Sequence, residues 1–95
     1  MDTNEAINKL QQIKPYLQQE YAVKRVGLFG STARGTHTAG SDVDILVEFE
    51  RPVGIEFIDL SYLLEKELNK KVDVVSLKGI KEKYFKEIEK DIVYV

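Results

Sequence analysis

Between Thr3 and Tyr21 the apolar residues Ile7, Leu10, Ile13, Leu17 and Tyr21 recur at intervals of three and four, the spacing of one helical face. Pro15 falls inside this run. Proline lacks an amide donor and disfavours helical geometry in the residue before it, so the pattern predicts two short helices dividing near Lys14 or one bent helix. Val23 to Phe29 is β-branched and apolar and reads as a strand. Gly30-Ser31 breaks it, Thr32-Ala33-Arg34 starts a short helix, and Gly35 stops that helix. A small polar loop occupies Thr36 to Ser41. From Val43 to Phe49 the chain alternates, with Val43, Ile45, Val47 and Phe49 on one side of a second strand and Asp42, Asp44, Leu46 and Glu48 on the other.

Arg51-Pro52-Val53-Gly54 is a connection. After it Phe57, Leu60, Leu64 and Leu68, with Leu63 beside them, form the apolar stripe of a helix ending near Asn69. Lys71 to Val75 is a short third strand and Leu77 to Gly79 a turn. Tyr84, Phe85, Ile88 and Ile92 line a last helix running to about Asp91, with Tyr84 and Phe85 read as core residues. Helices alternating with three clear strands predict an α/β or α+β domain, its helices packed on a small sheet. Periodicity leaves strand order and direction open.

Ninety-five residues fit one domain, 1–95, so catalytic and recognition surfaces must share one scaffold. Hydrophobic residues at 43% and charged residues at 32% describe a soluble globular chain rather than a disordered one. No apolar run approaches the roughly 18 residues that span a bilayer, and Met1 to Glu5 lacks the basic start of a secretion signal. A cytoplasmic protein without membrane contact is expected. The absence of cysteine excludes disulfides, thiolate-held zinc and a thiol nucleophile, and a single histidine cannot build a histidine-rich metal site. Any metal needs oxygen ligands. A net charge of −2 lacks the positive excess of a domain that tracks phosphodiester backbone, so no stable DNA or RNA binding is expected.

Residues two apart in a strand project to the same side, about 6.5–7 Å apart along the backbone, so Asp42 and Asp44 aim their carboxylates at one region. Magnesium takes hard oxygen ligands and completes its shell with water and substrate phosphates, which suits paired aspartates beside an open groove. Upstream, Gly30-Ser31 follows an apolar strand and opens a short helix. Backbone N–H groups there, with the Ser31 hydroxyl, can meet phosphate oxygens while Gly30 allows close approach. Gly30 and Gly35 have Walker A spacing, but Thr36-His37 stands where that motif needs Lys-Ser/Thr, and no G-x-G-x-x-G occurs. Asp73, between Val72 and Val74, supplies a third carboxylate that converges with the others if its strand pairs beside the one bearing Asp44. Three acids held close repel one another, and a divalent cation is the natural compensation.

Gly30-Ser31-Thr32-Ala33-Arg34-Gly35 followed by Ser41-Asp42-Val43-Asp44 resembles the G-S-x-A-R-G and S-D-x-D motif of the DNA polymerase β-like nucleotidyltransferase superfamily, and Asp73 falls where its third carboxylate is expected. The flanking helices extend the likeness over nearly the whole chain, toward the minimal (MNT or MntA-like) branch. The resemblance implies a small mixed sheet of three to four strands with helices packed on it. It implies that Asp42 and Asp44 hold two Mg²⁺ ions, that Asp73 completes the site and helps deprotonate the acceptor, and that Gly30 and Ser31 bind the β- and γ-phosphates of a nucleoside triphosphate. An acceptor oxygen would attack the α-phosphorus and pyrophosphate would leave. Minimal members are typically antitoxins paired with HEPN-domain ribonuclease toxins, and the implied activity is transfer of AMP from ATP to a tyrosine of the toxin.

Two other readings belong to different classes. One is a non-catalytic antitoxin that neutralises its toxin by covering it, against which the presence of all three acids and Gly30-Ser31 argues. The other is a small-molecule nucleotidyltransferase of the aminoglycoside-modifying type, which would need a partner helical domain to complete an acceptor pocket. Arg34 is open to two roles, neutralising phosphate or pairing with a carboxylate that fixes the loop. His37 reads as a solvated loop residue. Lys24, Arg25, Lys70 and Lys71 read as solvated surface or as a positive rim near the nucleotide.

Overall fold

The first helix starts where its sequence supplies a cap. Asp2 accepts the Glu5 amide at 2.8 Å and Glu5 reaches back to the Asp2 amide at 3.4 Å, a reciprocal capping box. A computed structural model describes residues 1–95, and in it this helix, α1, runs from Thr3 to Tyr21 without interruption. Of the two outcomes allowed by Pro15, division into two helices does not occur. An interior proline costs about 3 kcal/mol. Leu10 and Leu17, on either side of it, are both fully buried, and each contributes about 1.5–3 kcal/mol. Burial of the stripe therefore offsets the lost hydrogen bond.

Strand β1 (Val23–Phe29) leads directly into the short helix α2 (Gly30–Arg34), and β2 (Val43–Phe49) follows the polar loop. Helix α3 (Glu56–Leu68), strand β3 (Val72–Ser76) and helix α4 (Glu82–Ile88) complete the expected elements. The sheet order is β3-β2-β1-β4, with β1 antiparallel to β2 and to β4, and β3 parallel to β2. The mixed, four-stranded sheet lies at the upper end of the expected three to four.

The alternation in β2 separates two cores. Val43, Ile45 and Val47 join Val26 and Leu28 of β1 beneath Ala6, Leu10 and Leu17 of α1 and Leu60, Leu64 and Leu68 of α3. Opposite, Leu46 and Phe29 pack with Ile88 of α4 in a smaller cluster bordered by Phe85 and Ile92. One face of the sheet is covered by two long helices and the other only in part.

The C-terminal end departs from the sequence reading. The last helix stops at Ile88, a 3₁₀ turn follows at Glu89–Asp91, and Val93–Tyr94 forms β4 against Gly27 and Leu28. Ile92 sits four residues after Ile88 and imitates a helical stripe, yet it packs against the sheet. A Cβ at Gly27 would meet Ile92 Cγ2 at 2.9 Å and Tyr94 Cδ1 at 3.2 Å, so the missing side chain of Gly27 gives this strand its seat. Tyr84 is 44% exposed and is not a core residue, whereas Phe85 is packed against the smaller cluster. On a seven-residue helix over a partly covered face, one of two adjacent aromatics necessarily points outward.

Candidate active site

The sheet register answers the question that periodicity leaves open. Asp44 pairs laterally with Phe29 on β1 and with Asp73 on parallel β3, so the two aspartates stand side by side on neighbouring strands. Neighbouring strands lie about 4.8 Å apart, and paired residues present their side chains to the same face. Asp42 lies two residues before Asp44, and the Val43 amide bonds to the Lys71 carbonyl at 2.9 Å, which secures the start of β2 against the chain entering β3. The preceding loop is closed by the bonds Ser41 N to Thr38 O, 3.1 Å, and Thr38 N to Ser41 Oγ, 3.0 Å. Lys70 holds it to the entry of β3 by donating to the Ala39 carbonyl at 2.7 Å.

Gly30 joins the two halves of the motif. Its φ of 70° is left-handed, and a Cβ there would collide with Asp44 Oδ2. Both facts demand glycine. The carboxylate of Asp44 thus packs directly against the turn that begins α2, whose N-terminus has no side-chain cap. The Ser31 hydroxyl beside it makes no hydrogen bond within the chain, so the turn keeps donors for an incoming anion. Thr3 Oγ1 donates to the Thr32 carbonyl at 2.6 Å and fastens α2 to the start of α1.

Asp42 and Asp73 are exposed and Asp44 is half-buried. Burial, and then the charges of Asp73 and Asp42, push the Asp44 carboxyl above its usual range, while Arg34 opposes them. None of the chain's ion pairs includes any of these three acids. No three carboxylate or histidine side chains are close enough to cage an ion by themselves. The arrangement is an open row of hard oxygen donors without a protein cation. That donor set fits a divalent ion such as Mg²⁺, which is held by one or two carboxylates and completes its shell with water and substrate phosphates.

Arg34, His37 and Arg25 each have a partner within the chain. Arg34 Nη1 lies 3.0 Å from Asp91 Oδ2, so pairing with a carboxylate is realised. The helical spacing that predicts a last helix to about Asp91 does not single this residue out. His37 is not merely solvated: its Nε2 lies 2.6 Å from the Met1 carbonyl oxygen, and its Nδ1 is buried without a partner. Arg25 pairs with Glu48 at 2.8 Å and lies 4.5 Å from the centroid of the Tyr94 ring. A cavity of about 550 Å³, lined by Glu48, Phe49, Arg51, Phe57, Ser76 and Lys78, opens where β2 and β3 end, far from the aspartates where they begin. It is separate from this site. No helix is long and apolar enough to cross a membrane.

Comparison with known proteins places the chain in a family. A Methanocaldococcus jannaschii protein, by name a candidate protein adenylyltransferase, is 44% identical over 90 residues, covering 90% of each chain. The protein adenylyltransferase MntA of Thermococcus cleftensis is 40% identical over 83 residues, covering 86% of this chain and 84% of its own. A solved structure described as a candidate minimal nucleotidyltransferase matches with a TM-score of 0.84 at 28% identity, over 98% of this chain and 95% of that one. A toxin-antitoxin crystal structure with AMP-PNP contains a chain that matches with a TM-score of 0.60 at 28% identity, over 85% of this chain and 61% of that one. The nucleotidyltransferase domain model matches residues 10–94, nearly the whole chain: it belongs to the nucleotidyltransferase domain family and is an enzyme of that type.

Proposed function

We propose that this chain is a Mg²⁺-dependent protein adenylyltransferase and the antitoxin of a two-component pair, transferring AMP from ATP to a tyrosine of a HEPN-domain ribonuclease toxin. The observation that carries the reading is the juxtaposition of Asp44 with Asp73 on one side and with the Gly30 turn on another. Phosphate-binding donors and metal-binding carboxylates thereby meet at one point. The protein adenylyltransferase names of two relatives support the reaction class, and the toxin-antitoxin structure with AMP-PNP supports a toxin as partner and ATP as donor.

In this reading Gly30 and Ser31 bind the β- and γ-phosphates, and Asp42, Asp44 and Asp73 hold Mg²⁺. The bound ion supplies the positive charge that an α-phosphoryl centre under attack requires. Asp73, exposed at the mouth, accepts the proton from the acceptor hydroxyl. A bond forms between the acceptor oxygen and the α-phosphorus, the α–β bridging bond breaks, and pyrophosphate departs. AMP on a tyrosine beside a ribonuclease site would oppose RNA by bulk and charge. The domain, 1–95, acts in the cytoplasm in this reading.

The test is incubation of the protein with ATP, Mg²⁺ and its HEPN partner, followed by intact mass. AMP units added to the partner by the wild type, and absent with Asp42→Asn/Asp44→Asn or with chelator, support the reading. Tight partner binding with no mass gain would replace it with an antitoxin that acts by covering its toxin.

A further inference from the structure

Arg34 ends α2 one helical turn after Gly30, so both lie on one face of the helix, and its Cα–Cβ bond tilts toward the helix start, the turn against which Asp44 packs. Its guanidinium meets Asp91, 57 positions later in the chain. Of the pair, Asp91 is the anchored member, with a side chain 19% exposed against 48% for Arg34. Ile88 before it is buried with Phe29 and Leu46, and Val93 after it pairs with Leu28. Asp91 is therefore tied on both sides to β1, the strand that delivers Gly30.

The contact occupies one donor. Arginine carries five N–H groups in a planar fork, and here only Nη1 is hydrogen-bonded, leaving Nε and Nη2 without partners in the chain. A guanidinium pinned at one corner keeps its other edges for a second anion. Its positive charge is also felt at Asp44, where it opposes the effect of the neighbouring acids. A pair needed only to clip the 3₁₀ turn onto α2 would serve equally well with its charges reversed.

We infer that Asp91 is a positioning residue, holding Arg34 so that the free guanidinium donors meet the phosphates of a nucleotide seated at Gly30-Ser31. The C-terminal turn, which contributes nothing to the glycine turn or the aspartate row, thereby helps set the affinity for the triphosphate. The inference rests on the nucleotide site of the proposed function.

Titration of the intact protein with ATP and Mg²⁺, alongside transfer kinetics and thermal unfolding, tests it. Asp91→Asn should weaken ATP binding about tenfold, since a charged hydrogen bond to phosphate loses its aim. The loss should appear mainly in KM for ATP rather than in kcat, and Asp91→Glu should recover most of it. The reversal Arg34→Asp/Asp91→Arg should restore the melting temperature lost in Arg34→Asp yet leave ATP binding impaired, because the restored pair now offers the phosphates a carboxylate. ATP affinity within twofold of wild type in Asp91→Asn, or affinity regained together with the melting temperature in the reversal, would overturn the inference. A wild type that binds ATP but transfers nothing would sink the transferase reading alone, and the affinity ratios would still judge Asp91. A wild type that does not bind ATP would end both.

Discussion

Asp44 and Glu48 lie on the same face of β2, four residues apart, and the fold treats them in opposite ways. Glu48 is neutralised across the sheet by Arg25 of β1, at 2.8 Å. Asp44 faces Asp73 across the sheet, has Asp42 beside it, and has no basic group within ion-pairing distance. Ordinary surface acids are paired or fully hydrated; this one is half-buried among like charges. The contrast marks the end of the strand at which acidic charge is left uncompensated by the chain.

The largest expected effect is on activity. Asp44→Asn keeps the shape of the side chain and removes its charge, so transfer should fall at least about 10³-fold, the scale of a single preorganised electrostatic group. The far-UV circular dichroism spectrum should remain that of the wild type. Glu48→Gln assayed in parallel should transfer within about twofold of wild type, because its partner Arg25 belongs to the other end of the face. Equal losses in the two variants would remove the distinction between the acids.

Gly30→Ala should come next, because it damages the backbone and the site together. A residue with a Cβ held at a φ of 70° costs about 1–2 kcal/mol. The added carbon also displaces the Asp44 carboxylate. Denaturant melts should register that loss, and nucleotide transfer should fall further than stability alone explains. A variant as active as wild type after correction for its folded fraction would contradict the close approach of turn and carboxylate.

How much of this site is legible in the sequence depends on which contacts are local. The β1–Gly30–α2 unit, the alternation from Val43 to Phe49 and the stripes of α1 and α3 all follow from neighbouring residues, and the structure reproduces them. The pairing of Asp73 with Asp44 is not local. It depends on a parallel register between strands separated by α3, which periodicity cannot encode. The role of Gly27 as a seat for Ile92 and Tyr94, and the Arg34–Asp91 contact, were hidden for the same reason. Two residues of β4 carry no alternation, and the spacing from Ile88 to Ile92 imitates a helix. Pro15 failed to divide α1 because tertiary burial outweighed a local preference, and His37 meets the carbonyl of Met1, ahead of α1, rather than a partner in its own loop.

A modest effect on stability should come from the compensated acid. Glu48→Gln removes one member of a partly exposed ion pair, with side-chain exposures of 48% for Arg25 and 28% for Glu48. Double-mutant cycles with Arg25→Gln should return a coupling of about 0.2–1 kcal/mol. A coupling of zero would leave Arg25 held only by its contact with Tyr94, and would narrow the contrast with Asp44 to the uncompensated end.

The smallest effect is the one with the most informative sign. Because Asp44 titrates above its usual range in the folded protein, the folded state binds that proton more tightly than the unfolded chain does. Its contribution to stability is therefore full below the unfolded value, near 3.8, and is lost as the pH rises through the higher folded value. In chelator at neutral pH, Asp44→Asn should melt above the wild type, and the gap should close on acidification toward the ordinary carboxylate range. Mg²⁺ at neutral pH should raise the wild-type melting temperature and leave Asp44→Asn nearly unmoved, since the cation replaces the proton as the counter-charge. A destabilised Asp44→Asn at neutral pH in chelator would mean that Asp44 finds compensation within its own chain, as Glu48 does, and the two ends of the strand would no longer differ in kind.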